Sequence, residues 1–251
     1  MSIPPPHQLK VVADAAALAQ AAADYFVQAA NENIALHGRF TVVLSGGSTP
    51  KAMFALLAAS PCRAAVDWEH TFIFWGDERC VPPDHADSNY RMTKEALLSQ
   101  VPLPPQNVFR MQGEAEPAHA AQVYSEQLRQ FFQTDACPGF DLVFLGMGAD
   151  GHTASLFPGT TALQASADAV VVENYVEKLQ AQRLTLTAAT INHAQAVVFL
   201  VGGAEKAVTL KAVLHGNYQP ELYPSQLIQP HSGTLLWLVD AAAYAAIRVA
   251  K

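Results

Sequence analysis

Residues 140–159 read FDLVFLGMGADGHTASLFPG, and the first seven of them point to the fold class. Leu142 to Leu145 form an apolar run without polar alternation that stops at two glycines, Gly146 and Gly148. A strand apolar on every residue is covered on both faces, which is the habit of a parallel sheet rather than a half-exposed antiparallel one. Working outward, the same punctuation recurs. RFTVVLSGG (39–47) is followed by TPKAMFALLAA, TFIFWGD (71–77) by SNYRMTKEALLSQ, AVVFLVGG (196–203) by AEKAVTLKAVL, and GTLLWLVD (233–240) by AAAYAAI. Apolar strands alternating with helical patterns predict an α/β fold: a mostly parallel, Rossmann-like sheet with helices on both faces. ADAVVVE (167–173) and RLTLT (183–187) predict further strands forming a local antiparallel segment. An alanine-rich helix over about residues 13–36, with Leu18, Tyr25, Phe26 and Val27 as its bulkier apolar side chains, reads as a packing helix. The proline run at residues 4–6 and the alanine run are the low-complexity stretches, and neither carries chemistry.

The 251 residues suit one domain spanning 1–251, and 51% hydrophobic with 15% charged residues is the balance of a compact chain, not a disordered one. A formal charge of -7, with 15 scattered Lys and Arg residues, argues against nucleic acid as a partner. An anionic small molecule would need a local cluster of donors set against that global charge. Cys62, Cys80 and Cys137 show no paired spacing, so neither a disulfide framework nor a zinc ribbon is indicated. The opening MSIPPPHQLKVVADAAALAQ has no basic segment leading into an apolar core, and no stretch approaches the roughly 20 apolar residues of a spanning helix. The expected location is the cytoplasm, with no membrane association.

In open parallel sheets ligands sit beyond the carboxyl ends of the strands, so the turns leaving the strands are where chemistry belongs. Four stand out. LSGGSTP (44–50) has glycines for close backbone approach, Ser48 or Thr49 to cap the next helix and Pro50 for its first turn, an anion site in outline but without the lysine of a Walker A loop. WGDERCVPPDHADSNYRM (75–92) crowds Asp77, Glu78 and Arg79 at a strand end, which suits either a ligand-holding arginine or a salt-bridged turn. Asp84, His85 and Asp87 in the same stretch read as a solvated loop rather than a metal site. GMGADGHTASLFPG contains G-x-G-x-x-G at Gly146, Gly148 and Gly151 with Glu173 downstream, but Pro158 and Gly159 interrupt the helix that a dinucleotide fingerprint requires. The better reading of that stretch is catalytic: a neutral imidazole at His152 can take a proton from water, and Asp150 can fix its tautomer. VGGAEKAVTL (201–210) places Lys206 at a helix start, where a cation opposes the dipole unless an anion binds nearby.

Taken together, LSGGSTP, WGDER with DHADSNYRM, GMGADGHTASLFPG, RLTLT and GAEK resemble the 6-phosphogluconolactonase family, within the group that includes glucosamine-6-phosphate deaminase. The resemblance implies hydrolysis of 6-phosphogluconolactone to 6-phosphogluconate, the second step of the oxidative pentose phosphate pathway, with no metal and no organic cofactor. It further implies His152 as general base and Asp150 as the group orienting it. Arg79, Arg183 and Lys206 would hold phosphate or substrate, and Gly46, Gly47, Ser48 and Thr49 would form the sugar-phosphate loop. Two alternatives stand beside it. The related deaminases carry a glutamate just before the Pro-Gly that follows DGH, where this chain has Phe157, and a phenylalanine transfers no proton. A sugar-phosphate sensor would carry a DNA-binding segment, but the roughly 40 residues ahead of the first apolar strand are mostly alanine helix with no basic recognition helix.

Overall fold

The computed structural model describes residues 7–248. Among the described residues there are ten strands: β1 (Gln8–Val12), β2 (Phe40–Leu44), β3 (Thr71–Trp75), β4 (Asp77–Arg79), β5 (Val108–Phe109), β6 (Leu142–Gly146), β7 (Val171–Val176), β8 (Ala181–Leu186), β9 (Ala196–Val201) and β10 (Thr234–Asp240). Seven of them form one sheet in the order β1-β10-β9-β6-β2-β3-β5, with every neighbouring pair parallel. The other three, β4-β8-β7, form a separate antiparallel sheet, the local antiparallel segment that the sequence predicted.

The apolar strands bury both faces, and the two faces feed two cores. Val43, Val143, Leu145 and Phe199 point into one cluster, whereas Val42, Leu44, Phe144 and Val198 point into the other. That is the alternation of a pleated strand with both sides covered. The opening helix, Ala15–His37, covers the second cluster with Leu18, Ala22, Phe26 and Ala30. Its alanines let it lie close to the sheet. The Asp14 carboxylate caps it by accepting from Ala17 N at 2.9 Å, and Gly38, at φ 83°, closes it in the left-handed conformation.

Three sequence expectations change. The first strand is β1, not β2. QLKVV is an edge strand, mostly exposed and broken by Gln8 and Lys10, so it lacks the continuous apolar run that marks its neighbours. The two-residue β5 on the opposite edge escapes for the same reason of brevity. Of the two readings of Asp77, Glu78 and Arg79, the salt-bridged turn is not formed, because the chain passes from β3 through Gly76 directly into β4. Asp77 and Glu78 are thereby buried, at 7% and 3% exposure. Of the proline run expected at 4–6, all lies outside the described residues.

Strand order reverses direction between β2 and β6. From β2 the chain steps outward through β3 to β5; from β6 it steps the other way through β9 to β10, and β1 closes that edge. At such a switch point the loops leaving two adjacent strands diverge to opposite faces and leave a crevice between them. The loops that leave β2 and β6 are LSGGSTP and GMGADGH.

Candidate active site

The crevice is a cleft of about 660 Å³ beyond the carboxyl ends of β2 and β6. It brings together residues from five separate segments: Gly46 and Gly47 after β2, Asp77 and Arg79 on β4, Asp150 and His152 after β6, Arg183 on β8, and Lys206 after β9. Ser48 and Thr49 follow in the first turn of the helix Ser48–Ala58 and are not among the lining residues. Neither caps that helix. Gly47 takes the N-cap position at φ 109°, a backbone angle that excludes a serine or threonine there, and no side chain caps the turn. The first-turn N–H groups therefore lie beside the cleft without a side-chain acceptor, which is the condition for holding an anion.

His152 sits in a tight turn. Its Nδ1 donates to Asp150 Oδ1 at 2.5 Å, and its backbone N–H reaches the same oxygen at 3.2 Å. Gly148 is required for this approach, since a Cβ there would lie 2.1 Å from the imidazole. Burial alone would push the Asp150 carboxyl up, but hydrogen bonds from His152 and Lys178 outweigh it and hold the group well below the usual carboxylate range. An ionised Asp150 fixes the proton of a neutral imidazole on Nδ1 and leaves the Nε2 lone pair available as a base. On its flat side the ring stacks on Phe157, with centroids 4.1 Å apart and planes inclined by 20°. Two residues on, Ala154 holds a positive φ of 46° without being glycine and lines the cleft. Such backbone strain concentrates at working sites. The chain after Gly151 is a run of turns with no α-helix, so the glycine triplet has no dipole to offer a pyrophosphate, and Glu173 is exposed on β7.

Three cations line the same cleft: Arg79, Arg183 and Lys206. Arg79 and Arg183 are direct partners across the β4–β8 ladder, a like-charge pairing that ordinarily destabilises a sheet. Burial first, and the Arg79 charge second, hold the Arg183 guanidinium below its ordinary value. Among the described residues, no carboxylate forms an ion pair with Arg79, Arg183 or Lys206. Three cations without a paired carboxylate around one cleft form an anion receptor. Arg79 is steadied by donating to the Asp87 carbonyl, so the exposed loop with Asp84, His85 and Asp87 serves as its brace. Among the described residues no group of three or more His, Cys, Asp or Glu side chains is arranged to hold a metal.

Several contributors lay beyond sequence reasoning. The Glu78 carboxylate accepts from the backbone N–H groups of Arg79, Asn89 and Tyr90 and from Ser88 Oγ, fixing the helix Asn89–Thr93 beside the cleft. Its burial pushes the carboxyl up against the pull of those donors. Asp77 Oδ2 accepts from Ser155 Oγ at 2.7 Å, tying β4 to the histidine loop. The motif WGDER thus encodes scaffold at 77 and 78 as well as charge at 79. Lys178 and the stacking role of Phe157 carry no local motif. Cys80, although next to Arg79, is no nucleophile, because burial raises its thiol to about 11.

The model of the family "Glucosamine-6-phosphate isomerases/6-phosphogluconolactonase" matches residues 13–237. The chain belongs to that family. A 6-phosphogluconolactonase of Synechocystis is 46% identical over 213 residues, covering 84% of this chain and 85% of the relative. The solved structure of 6-phosphogluconolactonase from Trypanosoma brucei superposes with a TM-score of 0.84 at 28% identity, covering 96% of this chain and 98% of that one. A monomeric glucosamine-6-phosphate deaminase superposes at 0.80 over 95% and 99% of the two chains, with 20% identity. The family's fold therefore hosts both chemistries, and side chains must decide between them.

Proposed function

We infer that this chain hydrolyses the ring ester of 6-phosphogluconolactone to 6-phosphogluconate, in the oxidative pentose phosphate pathway, with His152 as the general base. One observation carries the mechanism: an Asp150–His152 pair whose Nε2 is left open in a cleft that Arg79, Arg183 and Lys206 also line. The three cations and the unfilled N–H groups at Gly47, Ser48 and Thr49 take the phosphate. Its binding energy, remote from the reacting atoms, orients the ester carbonyl over a water at Nε2. His152 removes the water proton as oxygen attacks the carbonyl carbon and, as the tetrahedral intermediate collapses, returns it to the departing ring oxygen. The net positive field of the cleft, felt at a distance, favours the oxyanion between those steps. Asp150 stays ionised throughout and holds the ring. No step needs a metal or an organic cofactor.

Position 157 separates this reading from deamination. Proton transfer to a sugar ring oxygen calls for an acid there, and Phe157 supplies a flat apolar ring packed on the base instead. A non-catalytic sensor would have no use for the histidine's oriented lone pair. The protein is taken as one domain, with a sugar-phosphate lactone and not nucleic acid as its partner. No helix among the described residues is long and apolar enough to cross a membrane, and three free cysteines suit the reducing cytoplasm where we place it. The test is a side-by-side assay on freshly prepared 6-phosphogluconolactone and on glucosamine 6-phosphate. Acceleration of lactone opening above the spontaneous rate, with no ammonia release from the amino sugar, supports the reading; the reverse pattern overturns it.

A further inference from the structure

The hairpin joining β7 to β8 delivers Lys178 to the edge of the cleft. Its tip is a single 3₁₀ turn, Glu177–Leu179, closed by Gln180 in the left-handed conformation at φ 49°. The Gln180 amide donates to the Glu177 carbonyl at 2.8 Å, and Tyr175 Oη donates to Gln180 Oε1 at 3.2 Å. From this braced turn the Lys178 ammonium pairs with Asp150 Oδ2, while Asp150 Oδ1 holds His152. The same ammonium lies 5.1 Å from the centroid of Phe157, the ring that stacks on His152. Asp150, Phe157 and Lys178 line both the 660 Å³ cleft and an adjoining hollow of about 930 Å³, so they form the wall between the two.

We propose that Lys178 is a positioning residue that sets the proton affinity of His152 by sharing the Asp150 carboxylate with it. The proposal rests on the reading of His152 as the base. An anion turned wholly on an imidazole stabilises the imidazolium, and a base held protonated takes no proton from water. An ammonium on the second oxygen draws part of that charge away and keeps the carboxylate from rotating, so the ring stays oriented and less strongly protonated. An ordinary surface ion pair would do neither, and it would contribute little to stability. The other charged groups nearby are differently engaged. Asp77 bonds Ser155; Arg79, Arg183 and Lys206 line the cleft without hydrogen bonds to His152; Glu177 faces the adjoining hollow.

The test reads proton affinity directly, by NMR titration of the His152 Cε1–H in full-length protein carrying ¹³C-labelled histidine, with His152→Gln used to assign the resonance. In Lys178→Met the midpoint should rise by on the order of one pH unit, the size expected for removing a unit charge one residue's breadth away in a partly solvated site. Lys178→Arg, which keeps the charge, should titrate close to the unsubstituted protein. In an Asp150→Asn background Lys178→Met should add no further rise, because the carboxylate that relays the effect is gone. The acid limb of the kcat/KM profile should move with the NMR midpoint. Lys206→Met is the comparison, since it removes a cation from the same cleft that does not touch Asp150, and it should move KM far more than the midpoint. An unmoved midpoint in Lys178→Met, or an equal rise in the Asp150→Asn background, overturns the proposal. Failure of the lactonase reading would show separately, as a shifted midpoint with no lactone hydrolysis.

Discussion

Two aspartate–histidine pairs lie at opposite ends of the same parallel sheet. At the amino ends of β2 and β6, His37 Nε2 meets Asp141 Oδ1 at 3.1 Å. At their carboxyl ends, His152 Nδ1 meets Asp150 Oδ1 at 2.5 Å. We assign chemistry to the second alone. Asp141 is 5% exposed and saturated: besides His37 it accepts from Thr41 N, Thr41 Oγ1 and Gln195 Nε2, so it fastens the opening helix, β2 and β9 together at the foot of β6. Asp150 instead shares its oxygens between one imidazole and one ammonium, in a cleft also lined by Arg79, Arg183 and Lys206, none of which has a carboxylate partner among the described residues. A carboxylate beside a histidine is therefore structural or catalytic according to what else reaches the carboxylate and what the free ring nitrogen faces.

The largest difference between the pairs should appear in turnover. His152→Ala is expected to lower kcat by about 100- to 10,000-fold, the usual contribution of a general base, while His37→Ala leaves kcat nearly unchanged. Steady-state kinetics on the two purified variants checks this, and equal losses would erase the distinction. Next in size is the anion wall. Arg79→Ala or Arg183→Ala should reduce kcat/KM for the phosphorylated lactone by roughly 10- to 100-fold, equivalent to about 1.5–3 kcal/mol for a charge-assisted contact, and should spare the unphosphorylated lactone. Equal loss on both substrates would remove the phosphate from that wall.

Stability should separate the pairs in the opposite sense. Asp141→Ala strands several buried donors and should destabilise the fold by roughly 3 kcal/mol in denaturant titration with activity retained at low denaturant. A smaller effect concerns acid. The folded Asp150 carboxyl lies below its unfolded value of about 3.9, so its contribution to stability is present above that pH and is lost as pH falls through the folded value. Asp150→Asn should therefore lose less stability on acidification below about pH 4 than the unsubstituted protein does. A steeper acid loss in the variant would contradict the sign.

These pairs also mark what a sequence reveals. Asp150 and His152 are two residues apart in a glycine frame at the end of an apolar run, so the strand, the turn and the pairing of the two side chains are all local and all legible. His37 and Asp141 are brought together only by the sheet, as are Arg79 and Arg183, whose opposition depends on a ladder between strands more than 100 residues apart. Lys178 sits in a hairpin with no motif, and its partner is fixed only by the turn at Gln180. Where the local pattern misleads, geometry explains it. Ser48 and Thr49 look like helix caps, but the chain enters that helix at an angle which only Gly47 accepts. Asp77 and Glu78 suit a salt-bridged turn, but Gly76 passes the chain into a second sheet that buries them. The edge strands β1 and β5 were invisible because one is polar and exposed and the other is two residues long.

In the proposed mechanism the water is activated by the Asp150–His152 pair alone. The most direct measurement is the opening of freshly prepared 6-phosphogluconolactone by protein that has been exhaustively chelated and dialysed, with spontaneous hydrolysis subtracted. Full activity, unchanged by added divalent metal, is expected. Activity lost on chelation and restored by a divalent metal would contradict it.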